Sequence, residues 1–537
     1  MSSIARASAL IGAGTLVSRL TGLLRTIVLV AAIGSVGSRA GDAFAVANQL
    51  PNNIYTIIST GLLTAVIVPQ IVKAATHSDG GHAFTSKLLT LGTVVLLGTT
   101  AVAMAVAPWL VVLYAPRFPP DQLALATAFA YWCLPQIFFY GLFALLGEIL
   151  NARRIFGPYT WAPIINNIVS IAGFAIFILL FGAGQSVVSD WTPEMIAILA
   201  GTATLGIVLQ TVLLLFFWRR SGLNLRPDFT WRGVGLNQLG RLAGWTFLMV
   251  LAGQLAGLMQ SRVLSDASGD GAAIMASQNA WLIFMLPYSI IVLSIGTPYF
   301  TQLSEHAHAG RDEEVRADIG RSIRTLGLFT VLATAALMVA AIPASRIFTS
   351  NASQAAQAAL VLVCFLVSLV PLAVLFVVQR TFYAYDDTRT PFFFTLLQTA
   401  LVVGTALLAQ ALVEAEVLPI HYLAAAVALG QSFSSLVQVV VATWLLSRRL
   451  GGIGVGRWML SLLRFVLAAV PAAAAGWGTF LLLGGIDGWT TASALLGAIG
   501  TAIIGAVAGV VYLGALWLLR APELAVVGPL TRRLLRR

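Results

Sequence analysis

The amino-acid sequence predicts an all-α polytopic membrane protein of about fourteen transmembrane helices, set out as two pseudo-symmetric six-helix lobes with two further helices at the C-terminal end. Three observations carry this: an apolar composition too rich for a soluble domain, apolar runs of membrane-crossing length along the whole chain, and an internal repeat. Of the 537 residues, 59% are hydrophobic and 9% charged, with mean hydropathy +0.91. A water-soluble domain of that size cannot bury so much apolar surface, so most of the chain must face lipid. The polar gaps between runs are mostly too short to hold a second, soluble domain.

Taking each mostly apolar run of about 20 residues or more as a span, helices are expected near 7–33, 41–75, 83–113, 120–150, 157–183, 193–218, 236–265, 272–303, 322–348, 354–382, 391–413, 419–447, 458–484 and 491–519. Several exceed the hydrocarbon thickness, which predicts tilts, kinks or helical extensions beyond the bilayer. The first run carries Arg19 at its middle and lacks a clean small-residue cleavage site, so it is expected to stay as the first helix rather than leave as a signal peptide.

Lys and Arg near helix ends are retained on the cytoplasmic side. With the N-terminus inside, the outer segments hold only Arg39, Arg117, Arg262 and Arg346. Apart from Arg19 and Arg25 within the first helix, every other basic residue falls on an inner segment, Lys73, Arg153, Arg154, Arg311 and Arg448 among them. Both termini are therefore expected on the cytoplasmic side of the membrane. The net charge of +11 is spread as punctuation between apolar runs, and this does not make a nucleic-acid footprint.

The repeat has an offset of roughly 230 residues. Leu50-Pro51 returns as Leu286-Pro287. Asn151-Ala152-Arg153-Arg154 through Pro158 returns as Tyr383-Ala384 through Pro391, and Trp218-Arg219-Arg220 as Ser447-Arg448-Arg449. Because the offset spans an even number of helices, the halves share one orientation. The domains expected are an N-lobe over 1–235, a C-lobe over 236–450, and 451–537 holding the last two spans and a basic tail.

Arg19 lies near the midpoint of the first helix, where an arginine costs about 2.5–3.5 kcal/mol on insertion scales. It is therefore expected to face away from lipid. Arg19, Gly22 and Arg25 share a sector of about 120°, and Gly22 is expected to keep that face open. Each arginine could pair with an acid of a neighbouring helix, but embedded acids are scarce: Asp42 at the outer end of the second helix could reach Arg25, and Glu148 sits beside Arg153 and Arg154. Two guanidiniums on a cavity with too few internal anions call for an external one, and a diphosphate matches their planar forks bidentately. Thr15, Ser18 and Thr21, with Asn48, Gln49, Asn52 and Asn53, are candidates to hydrogen-bond a sugar or peptide head group; for the four amides a purely structural role between helices competes equally. Pro51 and Pro287 each remove a backbone donor mid-helix, so both helices should bend. Paired kinks suit paired gates, and static kinks would look the same in sequence.

The sequence shows no paired-carboxylate cluster deep in the bilayer, no phosphate loop and no metal-ligand spacing, so an enzyme, a cofactor and a metal site are not expected. Cys133 and Cys364 sit in apolar runs as packing residues. His77, His82, His306, His308 and His421 lie in or beside loops or helix ends, where solvated histidines are expected.

Three segments resemble the MurJ/MviN family of lipid II flippases, within the superfamily of multidrug and oligosaccharide-lipid exporters. They are Ser18-Arg19 with Arg25 followed by Asp42-Ala43-Phe44-Ala45-Val46-Ala47 and Leu50-Pro51-Asn52; Ile149-Leu150-Asn151-Ala152-Arg153 with Phe156-Gly157 and Ala162-Pro163 up to Asn167-Ile168; and Phe382-Tyr383-Ala384 with Asp387-Thr388-Arg389-Thr390-Pro391. The resemblance implies a flippase that moves lipid II, an undecaprenyl-diphosphate-linked peptidoglycan precursor, from the inner to the outer leaflet by alternating access. It implies that Arg19 and Arg25 bind the diphosphate in a central cavity, that Asp42 serves the outer gate, and that the last two spans form a groove for the lipid tail. Lipid II and membrane lipid are the implied partners, with cell-wall synthases as candidates and no nucleic acid.

The chain departs from that family in having Asn53-Ile54-Tyr55-Thr56 and Trp281-Leu282-Ile283-Phe284 where many members have arginines. Nor do its seventh, eleventh and twelfth spans carry the acids that some relatives use for sodium. The membrane potential is then the favoured drive. An exporter of another polyprenyl-linked oligosaccharide, a cation-coupled drug antiporter and a structural protein of the division complex are the alternatives.

Overall fold

The computed structural model describes residues 3–60, 82–153, 155, 157–218, 227–230 and 240–526. The far part of the second expected span, Lys73, His77, Arg154, Phe156, Arg219, Arg220 and the basic tail lie outside the described residues. The described chain is helical almost throughout and forms two compact units, Met1–Ser268 and Gly269–Arg537.

The first unit contains α1 (Ser3–Ile33), α2 (Arg39–Ile58), α3 (His82–Ala105), α4 (Ala107–Tyr114), α5 (Pro120–Cys133), α6 (Gln136–Ala152), α7 (Gly157–Phe181), α8 (Pro193–Trp218) and α9 (Gly240–Leu264). The turn between α1 and α2 is tied by one side chain: Ser38 Oγ donates to Ile33 O at 2.5 Å and accepts from Gly41 N at 2.9 Å, capping α2. Pro120 in the first turn of α5 supplies a fixed φ where no N–H is needed, and Asp121 beside it complements the helix dipole. The α1–α7 and α7–α8 pairs pack along much of their lengths, and α9 packs on α2 and α4. Close approach is made by small residues: a Cβ on Gly14 would lie 2.7 Å from Thr160 Cγ2, and one on Gly173 would lie 2.1 Å from Thr202 Oγ1.

The second unit contains α10 (Ile274–Pro287), α11 (Ser294–His308), α12 (Asp312–Val339), α13 (Ala341–Arg346), α14 (Ala352–Leu366), α15 (Leu369–Ala384), α16 (Arg389–Glu414), α17 (Leu423–Arg449), α18 (Val455–Leu482) and α19 (Ala494–Leu518). Its core gathers around Val315, Phe382, Phe465 and Tyr512. The last two helices pack on each other and on α12, and the Tyr512 hydroxyl donates to Leu328 O at 3.0 Å to pin α19 there.

Twelve helices of the described residues are long and apolar enough to cross a membrane. The first two predicted spans are occupied by α1, of 31 residues, and α2, of 20 described residues. Apolar side chains point outward in large numbers: Leu179 is 84% exposed and Leu482 89%. In water such a surface would aggregate, whereas in lipid it is solvated. The chain is a multi-pass membrane protein.

Long predicted runs are interrupted where extensions and kinks were expected. The run 83–113 breaks between α3 and α4, and 120–150 between α5 and α6 at Leu134 and Pro135. The run 322–348 starts ten residues early, because Asp312, Glu313 and Glu314 occupy the first turn of α12 and favour helix there. One expectation needs correction: His306 is not a solvated histidine. Its Nδ1 lies 2.8 Å from Asp318 Oδ2 and its Nε2 2.9 Å from Glu314 Oε2, a bridge between α11 and α12.

Candidate substrate cavity

A cavity of about 560 Å³ opens in the first unit, walled by Thr15, Ser18 and Arg19 of α1, Phe143 and Asn151 of α6, and Tyr159, Thr160 and Pro163 of α7. Its volume lies in the range of small-molecule sites. One wall is rigid aromatic surface, with Phe143 and Tyr159 stacked at 5.1 Å and 16°. The remaining lining is Pro163, a cation, two hydroxyls from α1, an amide and a third hydroxyl from α7. The cavity thus sets one cation and a few hydrogen-bonding groups on mostly apolar walls.

What aims Arg19 into this space is the α1–α7 contact. Asn167 of α7, 6% exposed, donates its Nδ2 to Ser18 O at 3.0 Å and to Thr21 Oγ1 at 2.9 Å. Both acceptors lie within one turn of Arg19, so the rotation of α1 is held by this amide. Gly22 lies on the same contact: a Cβ there would meet Asn167 Nδ2 at 3.6 Å, an ordinary van der Waals distance. Gly22 therefore faces α7, and the open face expected between Arg19 and Arg25 is filled there by Asn167. The Asn167 clamp was not anticipated from sequence; its signal is the Asn166-Asn167 pair inside an apolar run.

Arg19 is exposed on the cavity wall. Arg25 stands further along α1, half-buried beside Tyr140 of α6, and does not line this cavity. It makes no hydrogen bond or ion pair among the described residues. The Tyr140 ring in turn leans on Tyr55 of α2, with centroids 5.8 Å apart.

The four amides of α2 divide. Gln49 donates to Ser261 Oγ of α9 at 3.1 Å, and Asn53 to the Tyr114 hydroxyl of α4 at 3.2 Å, so these two hold helices together. The half-buried side chain of Asn48 and the exposed one of Asn52 make no hydrogen bond among the described residues. Neither lines the cavity beside Arg19.

Asp42 is fully buried and accepts from Ser268 Oγ at 2.8 Å. That hydroxyl accepts from Gln122 Nε2 at 2.8 Å, and the same amide also donates to Arg39 O at 2.9 Å. The segment after α9 is thus tied to the start of α2 and to α5. Arg262 donating to Leu113 O at 2.8 Å and Arg117 at 3.6 Å from Asp266 add to the fastening. The two prolines are not alike. Pro51 is buried within an α2 that stays α-helical to Ile58. Pro287 ends α10, and a π-helical segment, Tyr288–Leu293, follows before α11. Ser289 Oγ donates to Met285 O at 2.7 Å and Leu286 O at 3.0 Å within this irregular stretch.

A family model described as "Lipid II flippase MurJ" matches residues 30–496. A Rhizobium tropici relative named "Probable lipid II flippase MurJ" is 26% identical over 402 residues, covering 73% of this chain and 72% of the relative. A Haemophilus influenzae relative of the same name is 24% identical over 502 residues, covering 86% and 90%. Among solved structures, one titled "Lipid II flippase MurJ, inward closed conformation" superposes with TM-score 0.72 at 19% identity, covering 97% of this chain and all of that one. An inward-facing transporter of the multidrug MATE family gives TM-score 0.64 at 16% identity, over 81% of this chain and 95% of the other. Arg19 and Arg25 precede the segment matched by the family model, so their reading rests on the geometry of α1.

Proposed function

The chain belongs to the lipid II flippase MurJ family, and from that premise we propose that it moves the undecaprenyl-diphosphate-linked peptidoglycan precursor across the cytoplasmic membrane by alternating access, without catalysing a reaction. The observation that supports this most is Arg19 on the wall of a cavity between α1, α6 and α7. A guanidinium there offers paired N–H donors to a diphosphate, and Thr15, Ser18, Asn151 and Thr160 offer hydrogen bonds to the sugars or peptide. Arg25, Asn48 and Asn52 have donors to spare within the same unit, and are read as contacts met by the head group at another stage of the cycle. Asp42 with its Ser268 and Gln122 links, Pro51 within α2, and Pro287 with the interruption that follows it are read as gate elements. The lobes are read as 1–235 and 236–450, with 451–537 added, both termini lie in the cytoplasm, and cell-wall synthases are the partners that take up the product.

Moving two net negative charges outward across a negative-inside membrane releases about 2.3 kcal/mol per charge per 100 mV, roughly 4.6 kcal/mol for a dianionic head. The seventh, eleventh and twelfth spans of this chain carry no embedded acid for a coupling cation, and the potential suffices as the drive. The test is to replace a host's flippase with this chain and measure lipid II reaching the outer face. Rescue that stops when the potential is collapsed supports the reading. No rescue despite good membrane expression moves the substrate to another polyprenyl-linked oligosaccharide, and flipping that survives collapse but needs sodium overturns the drive.

A further inference from the structure

The second unit holds another cavity, of about 590 Å³, where the polar start of α12 meets the turn before α18. Four arginines line it, Arg316, Arg321 and Arg324 of α12 and Arg457 of α18, against one carboxylate, Glu313. Arg321 lies 3.7 Å from Asp318 Oδ1. Arg316, Arg324 and Arg457 make no ion pair among the described residues.

Two donors point to a missing anion. Trp458 lines the cavity, is 3% exposed, and its Nε1–H has no acceptor among the described residues; Arg316 Nε is likewise buried without one. Buried donors in native structures find partners, so two orphans on one cationic pocket mark a place for an acceptor. The floor is the turn 451–454, where Gly451, Gly452 and Gly454 hold φ of +65°, +106° and +62°. Gly452 N donates to Ser447 O at 2.7 Å and closes α17 in a left-handed cap that needs glycine. A Cβ on Gly451 would lie 3.8 Å from Arg316 Nη2, so this guanidinium rests along the turn.

The surroundings select the kind of anion. On α18, Leu460 stands one turn beyond the exposed Arg457 and is itself 59% exposed, with Met459 at 50% and Leu463 at 53% on the same outer side, while Trp458 faces inward. A cationic pocket continued by an apolar strip suits an amphiphile with a phosphate head. We infer that this pocket is a headgroup site for an anionic phospholipid, with its phosphate on Arg316, Arg324, Arg457 and the Trp458 indole N–H and its acyl chains along Met459, Leu460 and Leu463. The site is built from residues of the second unit alone and does not depend on what is flipped.

The test measures the thermal unfolding midpoint of the intact chain in detergent against dioctanoyl phosphatidylglycerol, dioctanoyl phosphatidylcholine and inorganic phosphate at one ionic strength. Phosphatidylglycerol should raise the midpoint saturably and the other two should not. Trp458→Phe keeps the ring and removes only the N–H, and should weaken the apparent affinity about tenfold, the effect of one hydrogen bond to a charged group. Arg324→Ala with Arg457→Ala should abolish the shift. An equal shift with phosphatidylcholine, or an unaltered phosphatidylglycerol response in Trp458→Phe and in the double variant, would overturn the site. A shift by inorganic phosphate at the same concentration would make it a free-anion site and overturn the lipid assignment.

Discussion

Arg346 in the second unit and Arg25 in the first are both arginines held within apolar surroundings, yet their N–H groups are used in opposite ways. Arg346 is 9% exposed and spends its fork on three carbonyls: Nε on Thr491 O at 2.7 Å, Nη2 on Ala492 O at 3.0 Å, and Nη1 on Thr349 O. It binds α13 to the loop before α19, and the packing leaves no slack, since a Cβ on Gly497 would lie 2.6 Å from Pro343 O. Arg25 has no such partner among the described residues and stands beside a tyrosine. An arginine saturated by backbone is part of the fold. One with idle donors serves something that is not permanently there.

The comparison breaks most easily at Arg346. Arg346→Ala strands three inward-facing carbonyls, at about 1–3 kcal/mol for each group left unsatisfied. A loss of roughly 3 kcal/mol or more in denaturant unfolding is expected, while flipping per folded molecule stays near wild type. Asn167→Ala comes next: it removes two hydrogen bonds to α1, about 1–2 kcal/mol in all, and should also slow flipping because α1 can then rotate Arg19 away from the cavity. The smallest effect contrasts two neighbours on α2. Asn53→Ala loses the Tyr114 contact and should cost about 1 kcal/mol, whereas Asn52→Ala should leave the unfolding midpoint unchanged; equal stability losses at both would remove the division of the amides.

The legibility of the sequence follows the same line. Hydropathy is a property of single segments, so nearly every membrane-crossing helix could be located from composition alone, and the cost of an arginine in mid-membrane singled out Arg19. The partners that decide roles lie far apart in the chain. Arg346 counted in sequence only as an outer basic residue, because its acceptors are backbone carbonyls of Thr491 and Ala492, which have no side-chain signature. His306 looked like a loop histidine until α11 and α12 folded back to place Asp318 against it. Pro51 and Pro287 are equivalent in the repeat, but α2 stays α-helical from Pro51 to Ile58 and is π only at Ser59 and Thr60, whereas the π segment follows directly on Pro287, a difference the proline alone does not set. Gly22 was read correctly as a position without a side chain and wrongly as one facing empty space.

The most direct measurement compares Arg19→Ala and Arg19→Lys for flipping rate and unfolding midpoint in the same preparations. The account predicts that both variants unfold within about 0.5 kcal/mol of wild type, the usual range for an exposed side chain. It predicts that Arg19→Ala abolishes flipping and that Arg19→Lys, which keeps the charge and loses the planar fork, flips at least tenfold more slowly. Normal flipping by Arg19→Lys would reduce the cavity's contribution to positive potential alone. Unfolding of Arg19→Ala would make Arg19 a structural cation like Arg346, and would contradict the claim that the α1 cavity holds the substrate.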